Sequence, residues 1–139
     1  MGMVDVKEAV KTALSDESMA QVTKWFSAEP APTFYPSNCF GWVEWSGGAK
    51  TDETMDGLKK AVDEFYVVIV TKHIDADVAE TTGLTLLEAA EALLEADRTF
   101  GGKVSDSHVS LREKQKVFDG KFSINAVRLT LHTWRWLGP

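Results

Sequence analysis

The sequence predicts a two-layer α+β domain of order α-β-β-α-β-β, and three observations support this. Residues 65–70, Phe-Tyr-Val-Val-Ile-Val, form an unbroken apolar and largely β-branched run, the pattern of a central strand with both faces at least partly covered. Residues 85–100 repeat apolar side chains at helical spacing, opposite a stripe of glutamates. Two further strand patterns flank an Asp119-Gly120 turn signal. One helix between two hairpins can bury its stripe on one face of a four-stranded, mostly antiparallel sheet. The chain has 139 residues, 44% hydrophobic and 26% charged, which is globular in composition and of single-domain size. No repeat, low-complexity run or linker divides it, so one domain over 1–139 is expected.

Val6, Val10, Ala13 and Leu14 mark the buried side of a short N-terminal helix starting near Asp5. Ser15-Asp16-Glu17-Ser18 reads as a break or a new start, after which Met19, Val22, Trp25 and Phe26 continue the helical period. Pro30, Pro32 and Pro36 impose an extended run. Cys39 to Trp45 reads as a strand stopped by Ser46-Gly47-Gly48. Residues 49–61 fit either a helical turn through Met55, Leu58 and Val62 or a long hairpin loop. Glu64 to Ile74 is the central strand, and Asp75 to Gly83 an acidic connector.

The main helix is expected from Thr85 to Phe100, with Thr85 and Glu88 as its capping box and Gly101-Gly102 ending it. Leu86, Ala89, Ala90, Leu93 and Leu94 form its buried stripe. Val104 to Phe118 reads as a strand with Val109, Leu111 and Val117 on one face and Arg112, Lys114 and Lys116 on the other. Phe122 to Trp136 is the last strand, and its apolar parity changes between Ile124 and Val127, which points to a bulge near Asn125-Ala126. Lys and Arg scattered along these two strands resemble a protected sheet edge.

Cys39 is the single cysteine, which excludes an intrachain disulfide and a multi-cysteine zinc site. No apolar run has the length of a membrane span, and Met1 to Val10 lacks the apolar core of a signal peptide; a reducing cytosol is the expected place of synthesis. The net charge of −6 argues against a general nucleic-acid binder. That charge is split. Residues 1–97 carry 18 acids and 7 Lys or Arg, a net of −11, whereas residues 98–139 carry 8 Lys or Arg and 3 acids, a net of +5. Either the two parts neutralise each other within one domain, or the acidic part of one copy meets the basic part of the next in a head-to-tail contact.

His73, Asp75, Asp77 and Glu80 are the only dense group of potential ligands. One loop supplies all four, and their spacing matches no metal loop. Cys39 with His73, His108 or His132 would be a nucleophile pair, but no flanking signature supports it, and a lone cysteine in an aromatic strand reads as a small buried hydrophobe. Gly47-Gly48 and Gly101-Gly102 lack the pattern of phosphate loops. Trp42, Trp45, Trp134 and Trp136 weight the strand ends with aromatics suited to core or protein contact, with base stacking beside Arg135 as the rival use. Arg112, Lys114 and Lys116 form either a solvated face or a basic stripe toward a partner's acidic surface or toward DNA passing through a ring. No catalytic, cofactor-binding or metal residues are therefore expected, and no cofactor.

Four stretches, in their order and spacing across roughly residues 5–137, resemble the tail-terminator and tail-completion proteins of long-tailed bacteriophages and their relatives at the head–tail junction. They are Phe34-Tyr35-Pro36 ahead of the strand ending Val43-Glu44-Trp45-Ser46-Gly47; Phe65 to Val70; Glu91 to Val104, with a Phe100-Gly101-Gly102 turn where that family has leucine-glycine-glycine; and Ala126 to Trp136. The resemblance implies a virion structural protein without enzymatic activity. It implies a homo-oligomeric ring, often a hexamer, assembled in the host cytoplasm and residing at the head-proximal end of the tail. Such a ring caps the tail tube, ends its polymerisation and offers a docking surface to the head connector, with DNA passing transiently through the lumen and no membrane involved. A connector or stopper on the portal side is the alternative within the same group. A cytosolic α+β ligand-binding or enzymatic domain, with a deep apolar pocket, is the alternative outside it.

Overall fold

A computed structural model describes residues 2–26, 39–52, 59–119 and 122–137. Helix α1 (Met3–Leu14) leads through a 3-10 turn (Glu17–Met19) to a two-residue strand β1 (Trp25–Phe26). Strands β2 (Cys39–Asp52) and β3 (Lys59–His73) follow, then helix α2 (Ala76–Ala96), β4 (Asp106–Asp119) and β5 (Phe122–Leu137). The sheet has five strands in the order β1-β2-β3-β5-β4. All pairs are antiparallel except β1 with β2, which is parallel. The α+β class stands, and the α-β-β-α-β-β order is corrected by one added strand, β1, between α1 and β2. The four-stranded antiparallel expectation is corrected to a mixed five-stranded sheet.

The difference arises after Met19. Val22, Trp25 and Phe26 do not continue a helix, because Thr23 N–H donates to Cys39 C=O at 3.1 Å and Gly41 N–H to Lys24 C=O at 3.0 Å. Trp25 and Phe26 therefore run beside Gly41 and Trp42, with Trp25 packed against the main core and Phe26 against a smaller cluster. Gly41 makes room for Trp25: a Cβ there would lie 2.6 Å from Trp25 Cζ3 and 2.7 Å from Val68 O. The run through Pro30, Pro32 and Pro36, the stretch 53–58 and the Gly120 turn lie outside the described residues.

Strand β2 does not stop at Gly47-Gly48. A bulge at Ser46, between Trp45 and Gly47, shifts the register, and Gly47 and Gly48 pair with Glu64 and Asp63 as β2 continues to Asp52↔Lys59. Residues 49–52 and 59–61 are thus strand, where the pattern suggests a helical turn or loop. β3 starts at Lys59 rather than Glu64, and its centre is buried on both sides: Phe65, Val67 and Ile69 face the helices, Val68 and Val70 the opposite cluster.

Helix α2 begins within the expected connector. The Asp75 carboxylate accepts from Asp77 N–H at 2.9 Å and Val78 N–H at 3.4 Å, so Asp75 is the cap. Thr85 sits mid-helix, its hydroxyl donating to Thr81 C=O, and forms no capping box. The first turns of α2 lie over Thr71, whose hydroxyl donates to Ala79 C=O at 2.7 Å. Gly83 lets the helix approach closely, since a Cβ there would be 2.6 Å from Asn125 Nδ2. The buried stripe runs Ala79, Gly83, Leu86, Leu87, Ala90 and Leu94, and the helix ends at Ala96, before Phe100. Gly101 and Gly102 take φ of +69° and +88° in the turn beyond it, where the Asp97 carboxylate accepts from Thr99 and Gly101 N–H.

β5 pairs with β3 without a register shift from Ser123 to Leu137, so the expected bulge at Asn125-Ala126 is absent. Its apolar parity changes for another reason. Ile124 serves the cluster of Phe40, Trp42, Val68 and Val70, whereas Val127, Leu129 and Leu131 serve the core under the helices. The bulge lies in β4, between Val109 and Leu111, and sends those two residues to opposite faces. β4 is an edge strand, but β5 is interior. The start of the β4 edge is occupied by side chains: Glu95 Oε1 accepts from Val109 N–H at 3.2 Å, and Arg98 Nε donates to Ser107 C=O at 2.7 Å.

Candidate functional site

The predicted ligand group at 73–80 separates into structural duties. Asp75 caps α2, and His73 Nδ1 accepts the Asp75 N–H at 2.9 Å. Glu80 pairs with Lys114 Nζ at 2.8 Å. Asp77 stays exposed in the first turn, where a carboxylate suits the positive end of the helix. Among the described residues no group of three or more His, Cys, Asp or Glu is placed to hold a metal ion.

Cys39 opens β2 and is buried. Burial pushes its thiol up to about 11, the reverse of what a nucleophile needs. Register places Cys39 opposite Thr71, while His132 lies opposite Glu64 and stacks on His108 at 5.1 Å between ring centroids. The histidine pair is thus seven positions along β3 from the cysteine. At pH 8 the native protein is expected to react with a thiol reagent about 100-fold more slowly than the denatured chain, following the loss of thiolate. Equal rates would contradict this environment.

The tryptophans divide likewise. Trp42 is buried and donates to Glu44 Oε1 at 3.2 Å. Trp45 is exposed and donates to Asp63 Oδ1 at 3.0 Å. Trp134 and Trp136 meet edge-to-face at 5.5 Å, with Lys60 Nζ 4.7 Å from the Trp134 ring centre.

Arg112 and Lys114 turn to the helix side after the β4 bulge and pair with Glu91 and Glu80 of α2. The side chain of Lys116 lies outside the described ones. Part of the charge split is therefore neutralised inside the domain. Residues 75–97 contain seven acids and no Lys or Arg, so the β4 cations are their natural counter-charges. Asp75 and Asp97 accept backbone N–H groups, and Glu95 accepts that of Val109.

What remains is a pair of unlike surfaces that sequence reasoning did not isolate. At the start of α2, Ile74 (65%) and Val78 (40%) are exposed beside Asp77, which is also exposed. Past the other end of α2, a cleft of about 350 Å³ is lined by residues 102–105 and 135–137. There exposed Lys103 and Trp136 stand near Lys59, which pairs with Leu137 in register. The one available signal was Ile74 itself, an apolar residue between His73 and Asp75 that reads as the last residue of a strand. No helix among the described residues is long and apolar enough to cross a membrane.

No protein-family model matches the sequence, and no curated protein matches it. Among solved structures, the chain is similar in fold to a chain of the "Virion of native gene transfer agent (GTA) particle", with a TM-score of 0.64 at 14% identity, covering 95% of both chains.

Proposed function

We propose that this chain is a virion structural protein of the tail-terminator kind: copies close into a ring, a hexamer in the first instance, that caps a tail tube and ends its growth. The observation that carries the reading is the end-to-end fold likeness to a chain of a virion particle. It agrees with the order and spacing of the four sequence stretches, which point the same way independently. The candidate chemical groups are engaged otherwise: Asp75 in a helix cap, Glu80 in an ion pair, Cys39 in the core. The reading accordingly gives the chain no reaction and no cofactor. Its partners are further copies of itself, the tail tube protein and the head connector, with DNA passing through the lumen. Its place is the head-proximal end of the tail.

The mechanism is steric. A ring whose one side matches the tube and whose other side does not repeat that surface stops polymerisation by offering no further docking site. Native mass spectrometry of the purified chain, alone and with tail tubes, tests this. The expected result is one closed species of defined copy number, formed in solution or on the tube end, and tubes that no longer elongate once it is bound. A chain that stays monomeric in both conditions would overturn the reading. Retention on isolated free tails, rather than on tail-less heads, separates the terminator from the portal-side connector.

A further inference from the structure

Resting on the ring reading, we infer that the contact between neighbouring copies is a knob-in-cleft joint: Ile74, flanked by Asp77 of one copy, enters the cleft beside Lys103 and Trp136 of the next. Three observations carry it. The first is placement. Ile74 precedes α2 and residues 102–105 follow it, so the 21-residue helix holds knob and cleft about 30 Å apart at 1.5 Å per residue. A contact that uses the knob of one copy and the cleft of the next is heterologous, the geometry that makes a ring where its rotation closes.

The second is chemistry. Ile74 is 65% exposed and Val78, one turn on, is 40% exposed, an apolar pair that the fold itself does not cover. The cleft offers apolar contact through Trp136 and Leu137 amid a largely polar lining. An aromatic anchor beside a cavity is where interface energy concentrates.

The third is charge. The β4 cations are spent on Glu80 and Glu91, so they do not supply the contact. Asp77 on the knob side is an exposed carboxylate, and Lys59 and Lys103 on the cleft side are exposed ammonium groups, with no ion pair among the described residues. Opposite charge at the rim steers the encounter and sets its register. The occupant of the cleft is therefore a second copy of this chain.

Two variants test the joint; Asp77 serves the positive end of α2 and Trp136 meets Trp134, so each is compared with the wild type at a temperature below its own melting transition. The knob variant is Ile74→Asp with Asp77→Lys. The cleft variant is Lys103→Glu with Trp136→Ser. Each alone is expected to weaken self-association about tenfold or more. An equimolar mixture is expected to form a one-to-one dimer and stop, because each pair keeps one intact knob and one intact cleft. Asp77→Lys combined with Lys103→Glu in one chain is expected to recover assembly lost by either charge reversal alone. Wild-type-like rings from either variant would overturn the joint and leave the ring reading standing. So would two defective variants whose mixture does not pair. A wild-type chain that never self-associates would overturn both.

Discussion

Phe65→Ala is expected to destabilise the fold by about 3–5 kcal/mol, the usual cost of removing a buried aromatic ring. Phe65 is fully buried at the centre of β3, opposite Trp45 on β2 and Leu131 on β5. It belongs to the core formed with Leu86, Ala90 and Leu94 of α2. A domain of this size commonly has about 5–15 kcal/mol of stability in total, so the variant should unfold at a much lower urea midpoint with little change in slope. Lys114→Ala is the contrast. Its ion pair with Glu80 joins side chains 41% and 43% exposed, and an exposed pair contributes about 0–1 kcal/mol. Similar midpoints for the two variants would contradict the placement of Phe65.

Gly41→Val is the second large effect, through crowding rather than loss. The side chain would meet Trp25 Cζ3 at 2.6 Å and Val68 O at 2.7 Å at its first atom. Overpacking of this kind costs about 1–3 kcal/mol and more where backbone is involved. The expected outcome is displacement of β1, seen as a lower urea midpoint and faster exchange of the Gly41 and Thr23 amides, which donate to Lys24 and Cys39 C=O. Adding Trp25→Ala relieves only the ring contact. The midpoint of the double variant should stay below that of Trp25→Ala alone, by the amount the Val68 carbonyl contributes. A Gly41→Val protein with wild-type stability would show that β1 does not lie where described.

The same elements show how far local pattern reaches. β3 is legible in the sequence because both of its faces are covered, which makes the apolar run continuous. The body of α2 is legible through Leu86, Ala90 and Leu94. Its first two turns are not, because Thr81, Thr82 and Gly83 are poor helix formers. They are held by tertiary contacts, the Thr71 hydroxyl on Ala79 C=O and the close approach at Gly83. β1 is invisible to pattern, since two residues carry no periodicity. The changed parity of β5 is visible, but a bulge and a second apolar cluster on the far face leave the same trace in the residues. Here the cluster is the cause. The bulge in β4 moves Arg112 and Lys114 onto α2. Only register reveals that their charges are answered within the chain by Glu91 and Glu80.

Glu95 and Arg98 bear on which parts of the sheet margin another chain can reach. Both come from the tail of the crossing helix and the turn after it, and both plug main-chain groups on the rim of the outermost strand. A bare rim invites strands of other molecules to zip on without regard to identity, the first step toward fibrous aggregation. Where Ser107 and Val109 are plugged, a neighbouring chain can meet that rim only through side chains. Recognition by side chains, unlike pairing of backbone, can tell a correct neighbour from a wrong one.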